Sequence, residues 1–360
     1  DLLNQEHWYL RDSNWNPDFE ESAKRALWFY EKETGKVPQG VVGITTSMIV
    51  KLLELTGPIK LIDFNDQITA SNFYAKAIFY TQENFFPGST QKKDFLGSLF
   101  TALTNSLVAN RHLSGINLFE LLQSGLQQRD IQLYFANEEA QQLVTQFTWG
   151  GSLPLRAMCT DTITSTPCLN HYVHINEANM GMNKVNYFIK RQDRRDITIK
   201  ESGKVTEVVT RTIMNTSAGE PGTGVYRTYV RIFIPKDAHV TSFMLDGTPL
   251  TTKKAVLPYG ELDTTSSPSY SILAAAIDVP VGIERTIRIT YDRMFFGIQN
   301  ARRIAMELYE QKQSGVDSVP TLIRLRFPPT WHTFDLANNG YLEYNSLLLQ
   351  DLYIKVNFQK

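Results

Sequence analysis

The first sixty residues alternate helix and strand before enough strands have appeared to make a sheet, and this constrains the fold more than any other feature. Asp12-Ser13-Asn14-Trp15-Asn16-Pro17-Asp18-Phe19 runs into an amphipathic helix over 17–34, with Pro17 at its first position and Gly35 just past its end. The apolar run Gly40–Ile44 then marks a strand over 38–45. A second helix over Ser47–Leu55 ends at Thr56-Gly57-Pro58, and Ile59–Phe64 reads as another strand. A one-sided helix has to bury its apolar face, and in a layered α/β unit it does so on a sheet. Too few strands lie nearby. The expectation is the C-terminal portion of an α/β domain, completed by a missing upstream segment or by another chain.

At 360 residues the chain can hold two domains, each with its own core. Hydrophobic residues at 42% and charged residues at 20% describe an ordinary globular composition. A net charge of −1 gives no global field to gather nucleic acid, which is not expected as a partner. No stretch approaches the roughly 20 apolar residues that a membrane helix needs. No leader pattern opens the chain, but a sequence that reads as starting inside a domain does not exclude export.

Only two cysteines occur, Cys159 and Cys168, in a segment rich in Thr, Ser and Pro. They read first as a disulfide, which a short polar loop can close, with two plain thiols or a metal site as alternatives. A disulfide would place the protein outside the cytoplasm. Asn215-Thr216-Ser217 fits a glycosylation sequon, a pattern that also arises by chance.

Up to Trp149-Gly150-Gly151 the texture is helical. Helices are expected over 71–82, 91–109 (apolar at Phe95, Leu99, Leu103 and Leu107), 115–127 and 137–147, with a strand at Ile131–Phe135. Short strands joined by helices suggest a local sheet that is at least partly parallel. Beyond that point period-two strands take over: 171–176, 184–200, 204–215, 225–235, 239–246, 269–279, 285–292, 304–311, 320–327 and 350–358. Glu201-Ser202-Gly203-Lys204 and Leu245-Asp246-Gly247-Thr248 read as hairpin turns. The fold class is therefore α+β or α/β: a partial, helix-rich α/β domain at 1–190, then an antiparallel, immunoglobulin-like β-sandwich at 191–360.

A set of motifs occurs in order along the chain. They are Arg11-Asp12-Ser13-Asn14-Trp15-Asn16-Pro17-Asp18-Phe19 with Ser22-Ala23, Gly40-Val41-Val42-Gly43-Ile44, and Leu52-Leu53-Glu54-Leu55-Thr56-Gly57-Pro58-Ile59. Ile68-Thr69-Ala70-Ser71-Asn72, Lys93-Asp94-Phe95-Leu96, Trp149-Gly150-Gly151 and Asn176-Glu177-Ala178-Asn179-Met180-Gly181-Met182-Asn183-Lys184 follow. With Tyr226–Lys236 and Gln311-Lys312-Gln313-Ser314-Gly315, these motifs resemble the bacterial envelope proteins grouped as domain of unknown function 4012, over nearly the whole chain. Such proteins have a membrane anchor and a Gly-Gly-Phe segment upstream. They are also distantly similar to the LytR–CpsA–Psr ligases, which move lipid-linked glycopolymers onto the cell wall. That similarity lies in the helix ending Glu33-Thr34-Gly35, the strand after it, and the helix ending Thr56-Gly57-Pro58-Ile59.

Glycopolymer transfer needs cations for phosphate oxygens and acids for a divalent metal. The helix that carries arginines in the ligases opens here with Gln91-Lys92-Lys93-Asp94, and a lysine lacks the bidentate fork. Asp63 and Asp66 flank a turn, and His171 and His174 sit three apart on a strand, so they face opposite ways and cannot chelate one ion. No catalytic residues or metal ligands are assigned. Mg2+ enters only under the transferase alternative. Lys92, Lys93, Arg191, Arg194 and Arg195 are the candidate contacts for an anion or polymer. Trp8, Trp15, Trp28 and Tyr30 are candidates for stacking on sugars, with Trp28 and Tyr30 also fitting a core or interface role. The favoured expectation is a non-catalytic, extracytoplasmic, membrane-tethered surface module that packs on envelope polymer or a partner. A divergent phosphotransferase and an accessory subunit of a membrane complex are the alternatives.

Overall fold

A computed structural model describes residues 8–82, 91–109, 115–153, 159, 166–181, 183–220, 222–250, 256–258, 270–333 and 340–360, with backbone alone at 81–82, 91–93 and 256–258. The chain is mixed α/β, with helices gathered in its first part and strands in its second.

Helix α1 (Phe19–Thr34) starts where Asp18 accepts a hydrogen bond from the Glu20 amide at 3.0 Å, and it stops at Gly35, whose φ of +70° suits glycine. Strand β1 (Gly40–Ile44) follows. Phe19 packs so closely on it that a Cβ on Gly43 would lie 2.7 Å from the ring, so the apolar run needs its glycine. Next come α2 (Thr46–Thr56), a small ribbon of β2 (Ile59–Leu61) and β3 (Asp66–Ile68), α3 (Phe73–Gln82), α4 (Gln91–Ala109) and α5 (Gly115–Gln127). Strand β4 (Ile131–Phe135) and α6 (Glu138–Gln146) end this part. Leu53, Ile59, Leu61, Ile68, Phe73, Phe95, Leu99 and Leu103 form its core, so the expected face of α4 is buried over its first three apolar positions.

Strands β1 and β4 pair antiparallel, from Gly40 against Phe135 to Ile44 against Ile131, and β2 pairs antiparallel with β3. The partly parallel sheet expected here is corrected on this point. Parallel sheets form where both faces are covered, and β1 is only partly buried along its length. Among the described residues, this part holds two two-stranded sheets and nothing larger.

The second part runs β5 (Cys168–Asn179), β6 (Ile189–Ile199), β7 (Lys204–Asn215), β8 (Tyr226–Pro235), β9 (His239–Leu245), β10 (Thr248–Pro249) and β11 (Val256–Pro258). It continues through β12 (Tyr270–Val279), β13 (Glu284–Met294), β14 (Arg303–Gln311), β15 (Pro320–Arg326), β16 (His332–Thr333), β17 (Tyr341–Leu347) and β18 (Leu352–Gln359). Two seven-stranded sheets result, ordered β10-β9-β13-β7-β6-β15-β17 and β11-β12-β8-β5-β14-β18-β16. Strand β5 precedes the division expected at 190/191, yet it is central in the second sheet, between β8 and β14.

Neither sheet is purely antiparallel, which corrects the expectation. Strand β14 runs parallel to β5, with Leu308 against His171, and β15 runs parallel to β6, with Ile323 against Arg195. These pairs join segments more than a hundred residues apart, and the hairpin spacing of the sequence carries no trace of them. The β9–β10 turn does form as expected, with Asp246 at φ +50° and Gly247 at φ +78°. Two hydrophobic clusters each draw residues from both sheets, one around Val209, Ile232 and Ile289, the other around Ile197, Leu308 and Leu325.

Candidate functional site

The basic run near residue 190 does not form one surface patch. In β6 the residues alternate: Asp193 and Arg195 are buried and Arg191 is half-buried, while Lys190 and Arg194 are exposed. Arg195 is 0% exposed and held by Glu207, with Glu310 at 3.7 Å. Arg211 donates to Asp193 at 2.6 Å and to Glu177 at 2.8 Å, and Glu177 also takes Arg191 at 3.0 Å and the Tyr226 hydroxyl at 2.9 Å. His171 and Glu207 share a hydrogen bond of 2.9 Å. Burial works against both carboxylates, but the arginines outweigh it and hold Glu177 and Glu207 down to about 2. Burial pushes Glu310 up to about 7, because Arg195 reaches it from farther away.

Arg195 is therefore withdrawn as a polymer contact: it is enclosed by protein and its charge is taken. Arg194 is exposed, but it forks onto Asp196 at 2.7 Å. Arg191 alone of the three lines an open space. Lys92 and Lys93 lie in the first turn of α4, and their side chains fall outside the described residues. Asn215 is 0% exposed and donates to the Gly224 and Val279 carbonyls, so its sequon is closed in the folded protein. Trp28 is 53% exposed beside Phe29 and Lys32, which corrects the core reading, since α1 buries Ser22 and Ala23 instead. Cys159 and Cys168 form a disulfide with Cα atoms 5.8 Å apart.

Among the described residues, a large concavity lies where the helical part meets the outer face of the second sheet. It encloses about 2220 Å³ between the 11–17 segment, the start of α2, α3, the β5–β6 connection and the β14–β15 connection. Long-range contacts fix its walls. Arg129 forks onto Asp351 at 2.8 and 2.7 Å, Lys312 donates to the Gln128 carbonyl at 2.8 Å, and Ser314 donates to the Arg129 carbonyl at 2.7 Å. Ser47 hydrogen-bonds to Asp317 across the opening. Asp18, pushed up to about 6 by burial, accepts from the Leu153 amide at 2.9 Å and so ties the start of α1 to the connection after α6.

Aromatic rings and amides make much of the lining. Tyr74 of α3 and Tyr187 of the β5–β6 connection meet across the cleft with ring centroids 4.1 Å apart. The Asn176–Lys184 motif forms a rim in which Asn179 donates to Asn183 at 3.0 Å and Asn186 at 2.7 Å, while Asn183 donates to the Val225 carbonyl at 2.9 Å. Arg231 on β8 donates to the Trp15 carbonyl at 2.9 Å and to the Asn176 side chain, and its guanidinium lies 5.1 Å from the centre of the Trp15 ring. Trp15 stacks on Tyr229 at 5.9 Å. The sequence singles out Trp15 as an aromatic but not Arg231, because an arginine in an alternating strand reads as an outward, solvated residue. His174 is buried on the outer face, against the Gln311 carbonyl at 3.0 Å, and burial pulls it down to about 4. His171 is on the inner face, so the two imidazoles do part as the spacing predicts.

The model of the family described as "Protein of unknown function (DUF4012)" matches residues 2–78. Over that segment the chain is similar to DUF4012. The match covers α1, β1, α2, the β2–β3 ribbon and the start of α3, a shorter span than the motifs suggested. The matched segment thus supplies Trp15, Ser47 and Tyr74 to the cleft, and the strand-rich part supplies the facing wall. No curated protein matches the chain. Among solved structures, an M1 zinc metallopeptidase from Deinococcus radiodurans is similar at 11% identity and a TM-score of 0.26, over 48% of this chain and 42% of that one. A putative nutrient binding protein from Legionella pneumophila is similar at 7% identity and a TM-score of 0.30, over 54% of this chain and 72% of that one. A putative protease from Parabacteroides distasonis is similar at 13% identity and a TM-score of 0.27, over 48% and 41%. The chain spans less than half of the metallopeptidase's length, and likenesses of this size carry no argument about its arrangement or activity.

Proposed function

We propose that this is a non-catalytic, extracytoplasmic binding module of the bacterial envelope, which holds an extended polymer in the cleft between its helical and strand-rich parts. The two large sheets act as a β-sandwich platform, and the DUF4012 segment lies over one outer face. The cleft carries this reading: about 2220 Å³ is more than a small metabolite fills, and its lining pairs aromatic rings with amides and cations, the chemistry that holds sugar rings and their substituents. The acids along it are already engaged, Glu177 by Arg191 and Arg211 and Asp317 by Ser47, which favours holding over proton transfer. A disulfide at Cys159–Cys168 supports a place outside the cytoplasm.

Co-sedimentation with purified cell-wall polymer tests the reading. The wild-type protein is expected to pellet with the polymer, and Tyr74→Ala with Tyr187→Ala to stay in the supernatant. Retention unchanged by the double substitution would remove the cleft from the function. Magnesium-dependent transfer of a polyprenyl-linked glycan to an acceptor would overturn the non-catalytic reading in favour of a phosphotransferase.

A second reading has its own support. Ile116, Phe119 and Leu122 on α5, and Leu96 and Phe100 on α4, are exposed at helical spacing, and among the described residues β1 pairs with β4 alone. Such faces suit an accessory role in which a partner subunit covers them and adds a strand to the β1–β4 ribbon. Co-purification at fixed stoichiometry, lost in Phe119→Ser, is the expected result.

A further inference from the structure

One buried arginine in the cleft has, among the described residues, no carboxylate opposite it. Among the described residues, the other buried arginines each hold a carboxylate: Arg129 holds Asp351, Arg195 holds Glu207, Arg211 holds Asp193 and Glu177, and Arg293 holds Asp237. Arg231 is 2% exposed and holds none. Its partners are neutral oxygens, the Trp15 carbonyl and the Asn176 amide, and its Nε is buried without a hydrogen bond. A guanidinium offers five donors, so most of this fork is unused.

Burying an ion without its counterion costs several kcal/mol, and proteins usually either pair such a charge or leave it in water. Here the cost is visible in the guanidinium itself, which burial pulls down to about 10. The Trp15 and Tyr229 rings, 5.1 and 6.0 Å from the guanidinium carbon, offset part of it. Neither can use the planar fork. Arg231 also lines the cleft, and basic side chains outnumber acidic ones along that lining. A preorganised, desolvated arginine on the wall of a cleft is the arrangement that recognises a carboxylate or phosphate bidentately.

We propose that the cleft takes an acidic polymer and that Arg231 receives its anionic group, a carboxylate or a phosphate, with Asn176 and Trp15 holding the guanidinium in place. The proposal rests on the binding reading above and gives that ligand its charge. It also makes Arg231 a residue kept for binding rather than stability, since the empty site bears an uncompensated charge.

Isothermal titration at low ionic strength tests it with three probes: hexagalacturonate for the carboxylate, a glycerol-phosphate oligomer for the phosphate, and maltohexaose as the neutral chain. The wild type is expected to bind at least one acidic probe ten-fold or more tightly than maltohexaose. Arg231→Gln is expected to bring that probe to the neutral level while melting, without ligand, no lower than wild type. The identity of the preferred acidic probe distinguishes carboxylate from phosphate. Equal binding of acidic and neutral probes overturns this proposal but leaves the polymer-binding reading standing, whereas no binding of any probe removes both. An acidic preference that survives in Arg231→Gln overturns it as well. A variant that melts lower or does not fold makes Arg231 a structural latch, and that too overturns it.

Discussion

Between the two large sheets, Glu177, Arg195, Glu207 and Arg211 are buried and tied to one another, whereas on α4 and α5 it is Phe100, Ile116 and Phe119 that face outward. The contrast follows from how each part encloses space. Strands of both seven-stranded sheets share hydrophobic clusters, so strands such as β6 and β7 have a shielded face where even charges stay if each finds a partner. The two-stranded ribbons of the helical part are too small to cover the helices around them. What sits inside is thus decided by available cover as much as by side-chain character.

Breaking the ion row is expected to give the largest effect. Arg211→Met leaves Asp193 without its cation and Glu177 with Arg191 alone, and should cost about 3–5 kcal/mol in denaturant unfolding. A loss under about 1 kcal/mol would mean the row is hydrated rather than enclosed.

The two parts are also expected to respond to pH with opposite signs. His174, pulled down to about 4 from its usual 6.5, is held neutral in the folded state, so its contribution is present above 6.5 and is lost as pH falls toward 4. Glu177 and Glu207 follow lower down, losing theirs between 4.5 and about 2. Asp18 is raised from 3.8 to about 6, so its contribution is present below 3.8 and is lost as pH rises through 6. A shift of two units is worth up to about 3 kcal/mol. Hydrogen exchange corrected for intrinsic rate should show α1 amides gaining protection from pH 6.5 to 4 while β5 amides lose it. Both regions moving together would erase the distinction.

Removing the covalent tie should have an intermediate effect. Cys168→Ser opens a loop with a sequence separation of 9, worth about 2–3 kcal/mol, read as a lower melting temperature under oxidising conditions. An equal shift on reducing the wild type is the check. The smallest change is expected at the exposed face: Phe119→Ser, at a position 65% exposed, should move stability by no more than about 0.5 kcal/mol while lowering self-association in sedimentation. A loss like that of a core residue would show that α5 packs against something.

Much of the element order was legible. Strand β7 at Lys204–Asn215 and β4 at Ile131–Phe135 match the expected bounds, because period-two alternation or a short apolar run is a property of neighbouring residues. Strand β17 was missed: Tyr341-Leu342-Glu343-Tyr344-Asn345-Ser346-Leu347 carries Asn and Ser that read as a turn, and pairing with β15 overrides them. Arg191 and Arg195 read as candidate anion contacts because their partners, Glu177 and Glu207, belong to other strands.

The sequence by itself determined the succession of helices and strands, the place where texture changes, the opposed faces of His171 and His174, and the cysteine pair. Only the tertiary structure decided that β5 and β6 run parallel to β14 and β15, that Asn215 is closed to modification, and that Arg231 meets the Trp15 carbonyl. Periodicity and caps are written in residues a few positions apart. Arg231 and Trp15 are separated by 216 positions, and only the closing of the helical part onto the sheet brings that charge and that carbonyl together.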